Sequence, residues 1–219
     1  MRIRLQPGER TFIVGSTGSG KTYLARRLLW GAPNVVVLDP KHGFTWSDKG
    51  GANTGDSKYD FAVPEIEDLK RWDGKRPIIF QPPMIRGKSM ESIYDEFFAL
   101  CWFWKTPLVY CDELMQIAPT GNPPFELKKV ITQGRQRGIT ALFGTQRPAK
   151  IPVVCMSESQ HYFAGRLANK VDREKMADYM NSELIVRKPA KKFEFWYANE
   201  SQDSPVMIGA DDLDIIRRN

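Results

Sequence analysis

The stretch "GSTGSGKT", Gly15 to Thr22, matches G-x-x-x-x-G-K-[ST] at every fixed position. It follows a strand-like run, "RTFIVG" (10–15), and opens a helix-like one, "KTYLARRLLW", which Gly31 and Pro33 stop. That order of strand, loop and helix places the motif where a phosphate cradle has to sit. Gly15, Gly18 and Gly20 let the backbone bend, so that N–H groups of the loop, Ser16, Thr17 and Ser19 among them, turn inward toward phosphate oxygens. The positive end of the following helix adds to their pull. Lys21 would reach the β- and γ-phosphates, and Thr22 would give its hydroxyl to Mg²⁺.

The rest of the chain continues the alternation. "NVVVLDP" (34–40) reads as a second strand and is followed by a long polar loop, 41–58; "RPIIFQPP" (76–83) is a short strand bracketed by prolines. A helix starts near Ser89, with Met90, Ile93, Phe97, Leu100, Cys101 and Trp104 as its core stripe. "PLVYCDE" (107–113) is a strand tipped with acid, and 124–137 a helix with Leu127, Val130 and Ile131 on its apolar face. Strands at "ITALFGTQ" and "SQHYFAGRL", a helix opened by Asp172 and a hairpin within "LIVRKPAKKFEFWYA" (184–198) complete the series. The expectation is an α/β fold: a mostly parallel central sheet with helices on both faces and a C-terminal β-hairpin. At 219 residues the chain suits one domain, 1–219, with a core of about 10–170 and a helix-and-hairpin extension of about 171–219.

Composition narrows the function classes. With 42% hydrophobic and 26% charged residues the chain is globular, not disordered. Its net charge of +6, from 32 basic and 26 acidic residues, mildly favours a polyanionic partner. Cys101, Cys111 and Cys155 show no metal spacing, which points to buried thiols in a reducing compartment. No stretch reaches the roughly 18 apolar residues of a membrane span, and the N-terminus has no apolar signal core, so the expected location is the cytoplasm.

Two further constellations carry chemistry. In "LVYCDE", apolar residues bury the strand and two acids emerge at its tip: Asp112 to hold Mg²⁺ through its water shell, Glu113 to orient and deprotonate an attacking water. An acid at Glu113 would equally suit the start of a helix. In "GRQRGITALFGTQRP" (134–148), Arg135 falls on the outward side of its helix with Lys128 and Thr132, and Gly138 is the C-cap. Arg135 and Arg137 could serve the helix dipole, or one of them could project across a subunit boundary onto a neighbour's γ-phosphate. Gln146, at the other end of the intervening strand, emerges beside the phosphate loop and could bind the γ-phosphate or the water, passing the outcome on through Arg147.

Taken together, "GSTGSGKT", "VVVLDPK", "LVYCDE", "GRQRGI" and "GTQRP", in this order, resemble the FtsK/HerA superfamily of ring-forming DNA-translocating ATPases, over about residues 10 to 170. The resemblance implies a RecA-like P-loop core, ATP with Mg²⁺, a homo-oligomeric ring, double-stranded DNA as partner, Arg135 as the finger acting in trans and Gln146 as the polar sensor. The chain carries no membrane segment, N-terminal barrel or winged-helix module, and in that economy is similar to viral genome-packaging ATPases. That kinship implies a capsid portal or vertex protein as docking partner and the host cytoplasm as location.

Contacts to DNA phosphates should be lysine- and arginine-based, insensitive to sequence and salt-dependent. Candidates are Lys41, Lys49 and Lys58, and Lys128 and Lys129 after the acid-tipped strand; "RKPAKK" (187–192) reads as a charged turn, and His42 and His161 receive no chemistry. Two other readings stay open: a small P-loop nucleotide kinase, and a nucleotide-gated assembly factor that moves nothing.

Overall fold

A computed structural model describes residues 2–30, 32, 34–46, 62–84, 89–104, 108–119 and 121–216. In chain order the elements begin with β1 (Arg2–Arg4), β2 (Arg10–Val14), α1 (Lys21–Leu29), β3 (Val35–Leu38) and β4 (Ala62–Val63). They continue with α2 (Ile66–Lys70), β5 (Ile78–Phe80), α3 (Glu91–Trp104), β6 (Leu108–Cys111), α4 (Leu114–Ile117) and α5 (Phe125–Gln133). The last are β7 (Thr140–Thr145), α6 (Val154–Ser157), β8 (His161–Ala164), α7 (Lys170–Tyr179), β9 (Glu194–Asn199), β10 (Val206–Gly209) and β11 (Asp214–Ile216).

Among the described residues nine strands form one sheet in the order β10-β9-β8-β2-β7-β6-β3-β5-β4. From β8 to β4 every pairing is parallel, and only β9 is reversed, pairing antiparallel with both β8 and β10. The central strands are buried along their whole length, as a sheet covered on both faces requires. Successive residues serve opposite faces. Phe12, Val14, Val36 and Leu38 pack with α3, α5 and α7, whereas Ile13, Val35 and Val37 pack with Leu24 and Leu28 of α1. Cys101, Cys111 and Cys155 are free thiols inside the first of these cores, where burial pushes all three above the ordinary thiol range.

The structure departs from the sequence pattern in several places. The helix expected over 124–137 ends at Gln133 and tightens into a 3₁₀ turn, Gly134–Arg137, closed by Gly138 at φ 71°. Gly138 and Ile139 donate their N–H groups to the carbonyls of Arg135 and Gly134, satisfying acceptors that a straight helix would leave open. The hairpin is formed by β9 and β10, and Glu183–Val186, expected as its first arm, is a 3₁₀ turn nucleated by the Ser182 hydroxyl on the Leu184 N–H. Asp172 does not open α7; Asn169 caps it by accepting from the Val171 N–H at 2.9 Å. Finally, β1 and β11 pair in parallel as a separate two-stranded sheet that joins the two ends of the chain.

Candidate active site

Strand β2 delivers the glycine-rich loop to the carboxyl edge of the sheet, between the tips of β7 and β8. The Gly15 N–H donates to Thr145 O at 3.2 Å, and the Ser16 N–H and hydroxyl donate to Arg166 O at 2.7 and 2.8 Å, so both neighbouring strands hold the loop. Gly20 stands at φ 102°, a left-handed conformation that suits glycine, where the loop turns into α1. Lys21, the first residue of α1, is buried and donates from Nζ to Gly15 O at 2.8 Å and Ser16 O at 3.3 Å. Burial lowers its pKa, with Glu113 and Asp112 opposing that shift and Lys41 adding to it. The Ser19 hydroxyl is buried without a hydrogen-bond partner among the described residues, a donor in reserve within the cradle.

Asp112 follows β6 and meets Thr22 across the loop, with Thr22 Oγ1 3.1 Å from Asp112 Oδ1. The buried Tyr110 hydroxyl donates to the same oxygen at 2.6 Å. Burial raises the Asp112 pKa most, the Tyr110 hydrogen bond opposes it, and the Asp39 charge raises it further. An oxygen pair of hydroxyl and carboxylate, whose negative charge is disfavoured by its surroundings, fits a hard divalent cation such as Mg²⁺.

Glu113 is buried at the N-cap position of α4, yet its side chain makes no capping hydrogen bond there. Its Oε1 accepts from the Thr145 hydroxyl at 3.0 Å and the Gln146 N–H at 3.3 Å, and Lys41 Nζ approaches Oε2 to 2.6 Å. Its carboxylate is thus held by the tip of β7 and by Lys41, not by the first N–H groups of α4. Lys41 is aimed by Asp39, whose fully buried carboxylate accepts from the Lys41 and Phe44 N–H groups and from Gln81 Nε2. Gln146 reaches the loop, accepting from the Thr17 hydroxyl at 2.9 Å. The next residue, Arg147, donates from Nε to the buried Asp172 of α7 at 2.7 Å.

The two remaining arginines lie at the other edge of the sheet. Arg135 precedes β7, and the six residues of that strand span about 17 Å at roughly 3.3 Å per residue before Gln146 is reached. Arg135 is exposed, as are Lys128 and Thr132 on the same side. Its turn has a rigid seat: a Cβ on Gly8 would lie 2.7 Å from the Arg135 carbonyl, and the buried Arg10 donates to Gly8 O and Val130 O. Arg137 is half-buried, its guanidinium 4.5 Å from the centre of the Trp102 ring and donating to Trp102 O at 3.4 Å. Of the two, Arg135 is the one presented to solvent.

No family model matches the sequence, and no curated protein matches it at the sequence level. Solved structures share its fold. The genome packaging NTPase B204 from Sulfolobus turreted icosahedral virus 2, in complex with ATP-gammaS, aligns with a TM-score of 0.68 at 14% identity, over 93% of this chain and 98% of that one. B204, the DNA-packaging ATPase from Sulfolobus turreted icosahedral virus, aligns with a TM-score of 0.64 at 15% identity over 93% and 98%. ATPases 2 and 3 of EssC from Geobacillus thermodenitrificans align with a TM-score of 0.51 at 12% identity, over 91% of this chain and 39% of that one. The fold is therefore that of the RecA-like P-loop ATPases.

The structure thus brings Gly15 to Thr22, Asp112, Glu113 and Gln146 to one place and keeps Arg135 and Arg137 away from it. Sequence reasoning missed Lys41 as the partner of Glu113, together with Tyr110 and Asp39. The signal was present in "LDPK", where an acid two residues before a lysine at a strand tip can shape the turn that carries it. Of the lysines considered for DNA, Lys41 is engaged by Glu113, and Lys129 by Glu126 and the Trp102 ring. Lys128 is exposed, and Lys49 and Lys58 lie outside the described residues. No helix among the described residues is long and apolar enough to cross a membrane.

Proposed function

We propose that this chain is an ATP-hydrolysing translocase of double-stranded DNA, that it works as a homo-oligomeric ring, and that it packages a viral genome through a capsid portal or vertex protein. One observation carries the reading: a glycine-rich loop, the Thr22–Asp112 pair and the buried Glu113 share one edge of the sheet, while an exposed, firmly seated arginine stands at the opposite edge. Arg135 cannot reach a phosphate bound to its own loop. In a ring of like-oriented copies it faces the neighbour's nucleotide instead. The likeness of fold to B204, along nearly the full length of both chains, supports the packaging assignment.

The chemistry follows from the residues. Lys21 exchanges the loop carbonyls for the β- and γ-phosphate oxygens; Thr22 and Asp112 would hold Mg²⁺, which would supply positive charge to offset that of the triphosphate. Lys41 neutralises the buried Glu113 carboxylate until the triphosphate arrives, then turns toward the new negative charge and frees Oε2. Glu113 takes a proton from water, the water oxygen attacks the γ-phosphorus in line, and the bond to the β,γ-bridging oxygen breaks to leave ADP and phosphate. The Gln146 side chain orients the water, and its exchange of partners is passed along Arg147 to Asp172 and α7. Arg135 from the adjoining copy stabilises the charge of the transition state.

The test is the rate of ATP hydrolysis per chain as a function of protein concentration, with and without duplex DNA. The rate should climb with both. Arg135→Ala should lower it by about 10³-fold or more while nucleotide affinity stays unchanged. Equal activity in dilute monomer would remove the trans arginine. Phosphate transfer to a nucleoside would favour the kinase, and negligible turnover the assembly switch.

A further inference from the structure

The charged turn "RKPAKK" (187–192) has no part in the arrangement above, yet both of its ends are fixed. At one end the Arg187 N–H donates to Leu184 O, and the Trp196 indole N–H donates to Arg187 O, each at 3.0 Å. At the other, the Phe193 N–H donates to Ser19 O in the phosphate loop at 3.2 Å, and Phe193 O accepts from the Ala210 N–H at 2.8 Å. The Phe193 ring lies 5.2 Å from that of Tyr23 and covers Gly20 so closely that a Cβ there would overlap it. Phe193 holds φ 65°, a conformation a bulky residue keeps only where its surroundings enforce it. Within the turn the Lys191 N–H donates to Glu194 Oε2 at 2.8 Å and Pro189 is buried. The C-terminal part of the chain is thus stitched to the phosphate loop itself.

Beside this stitch is a cavity of about 330 Å³, walled by Ser16 to Ser19 of the loop and faced by Arg166, Lys188 and Lys192. Its third wall is fixed as well, because Arg173 Nη1 donates to the carbonyls of Leu167 and Ala168 at 3.0 and 2.8 Å. None of the three cations pairs with a carboxylate among the described residues. The cavity lies on the β8 side of the loop. Thr22, Asp112, Glu113 and Gln146 lie on the β7 and β6 side, which sets where the reacting end of a triphosphate goes. The nucleoside end then extends over the loop toward β8.

The geometry points to a second cationic arm of the nucleotide site, supplied in cis: Lys188, Lys192 and Arg166 bind the α-phosphate at the nucleoside end of the ligand. The inference rests on the reading that the loop holds a nucleotide, and adds to it a binding element from the C-terminal extension. Because the turn is anchored before any ligand arrives, the two lysines are held near their target at little cost in chain ordering.

The experiment is equilibrium binding of ADP and AMP, each carrying a fluorescent ribose label, to the full chain without DNA. Lys188→Gln/Lys192→Gln should weaken both ligands by about tenfold, from roughly threefold per exposed cation, because both keep the α-phosphate. Lys188→Arg/Lys192→Arg should retain wild-type affinity, and the Gln pair should move the melting temperature without ligand by no more than about 2 °C, from loss of the exposed Lys192 contact with the Phe193 ring. Lys21→Ala serves as the control, weakening ADP far more than AMP. If Lys21→Ala weakens ADP while the Gln pair changes neither ligand, the arm is overturned and the phosphate loop stands. Wild type that binds neither ligand would remove both. A Gln pair that keeps nucleotide affinity but loses binding to duplex DNA would assign these cations to the nucleic acid and overturn the inference.

Discussion

The contact between Lys41 and Glu113 makes a quantitative prediction. Lys41 Nζ stands 2.6 Å from Glu113 Oε2, with the two side chains 35% and 2% exposed. At an effective dielectric constant of about 20, unit charges at that separation attract by about 6 kcal/mol. Desolvation of Glu113 and solvent screening on the open side of Lys41 offset most of it, leaving about 2 kcal/mol, the worth of a hydrogen bond to a charged group. Lys41→Met should therefore destabilise the nucleotide-free protein by about 2 kcal/mol, or roughly 4–8 °C in Tm for a chain of this length. The Thr145 hydroxyl and Gln146 N–H still hold Oε1 in that variant, so the acid keeps its place but not its countercharge. In a Glu113→Gln background the same substitution should cost under about 0.5 kcal/mol, because a neutral amide does not need a cation. Urea unfolding of the four proteins gives the coupling energy directly, expected near 1.5 kcal/mol. A coupling below about 0.5 kcal/mol would refute the view that Lys41 neutralises the buried acid.

Three further outcomes are expected. Asp112 has its pKa raised above the ordinary 3.8 by burial, so its contribution to stability is complete below that value and is lost as pH rises through the raised one. Stabilisation by Mg²⁺ with ADP should consequently grow from pH 4 to pH 8, and Asp112→Asn should be more stable than wild type without metal at pH 7 and at least 10²-fold less active; a Mg²⁺ effect independent of pH in thermal melts would contradict this. Gly20→Ala should cost about 2–4 kcal/mol, from a left-handed φ and overlap with Phe193, and Phe193→Ala should recover the overlap part but not the backbone part. Asp172→Ala removes the acceptor for Arg147 Nε and the Ala149 N–H, so a loss of about 2 kcal/mol is expected in urea unfolding, and a change within 0.5 kcal/mol would show that the link is not structural.

The elements nearest the phosphate loop were the most legible. Val35 to Leu38 and Leu108 to Cys111 are continuous apolar runs because both of their faces are covered, and such runs can be read without knowing which strand lies alongside. The stripe through Phe97 and Cys101 repeats at helical steps because one face of α3 meets the sheet. β1 and β11 were not legible: each is three residues long, and each finds its partner at the far end of the chain. No local pattern can announce such a pairing. The 3₁₀ turn at Gly134–Arg137 likewise carries the pattern of a continuing helix, since Gly138 and Ile139 satisfy the last-turn carbonyls in a way that periodicity does not encode.

By itself the sequence determined what is local and covalent: glycines where the backbone must turn left-handed, a lysine and a threonine opening the next helix, acids where an apolar strand ends. Spacing along one segment suffices for these, because backbone geometry ties each residue type to its neighbours. Tertiary structure alone decided which groups face one another across segments. It set Lys41 against Glu113, Arg137 against Trp102, Arg147 against Asp172 and the 187–193 turn against the phosphate loop. The physical reason is that these partners are joined only by strand order and packing, and a side chain's hydrogen bonds depend on what folding brings near it, however far away in the chain.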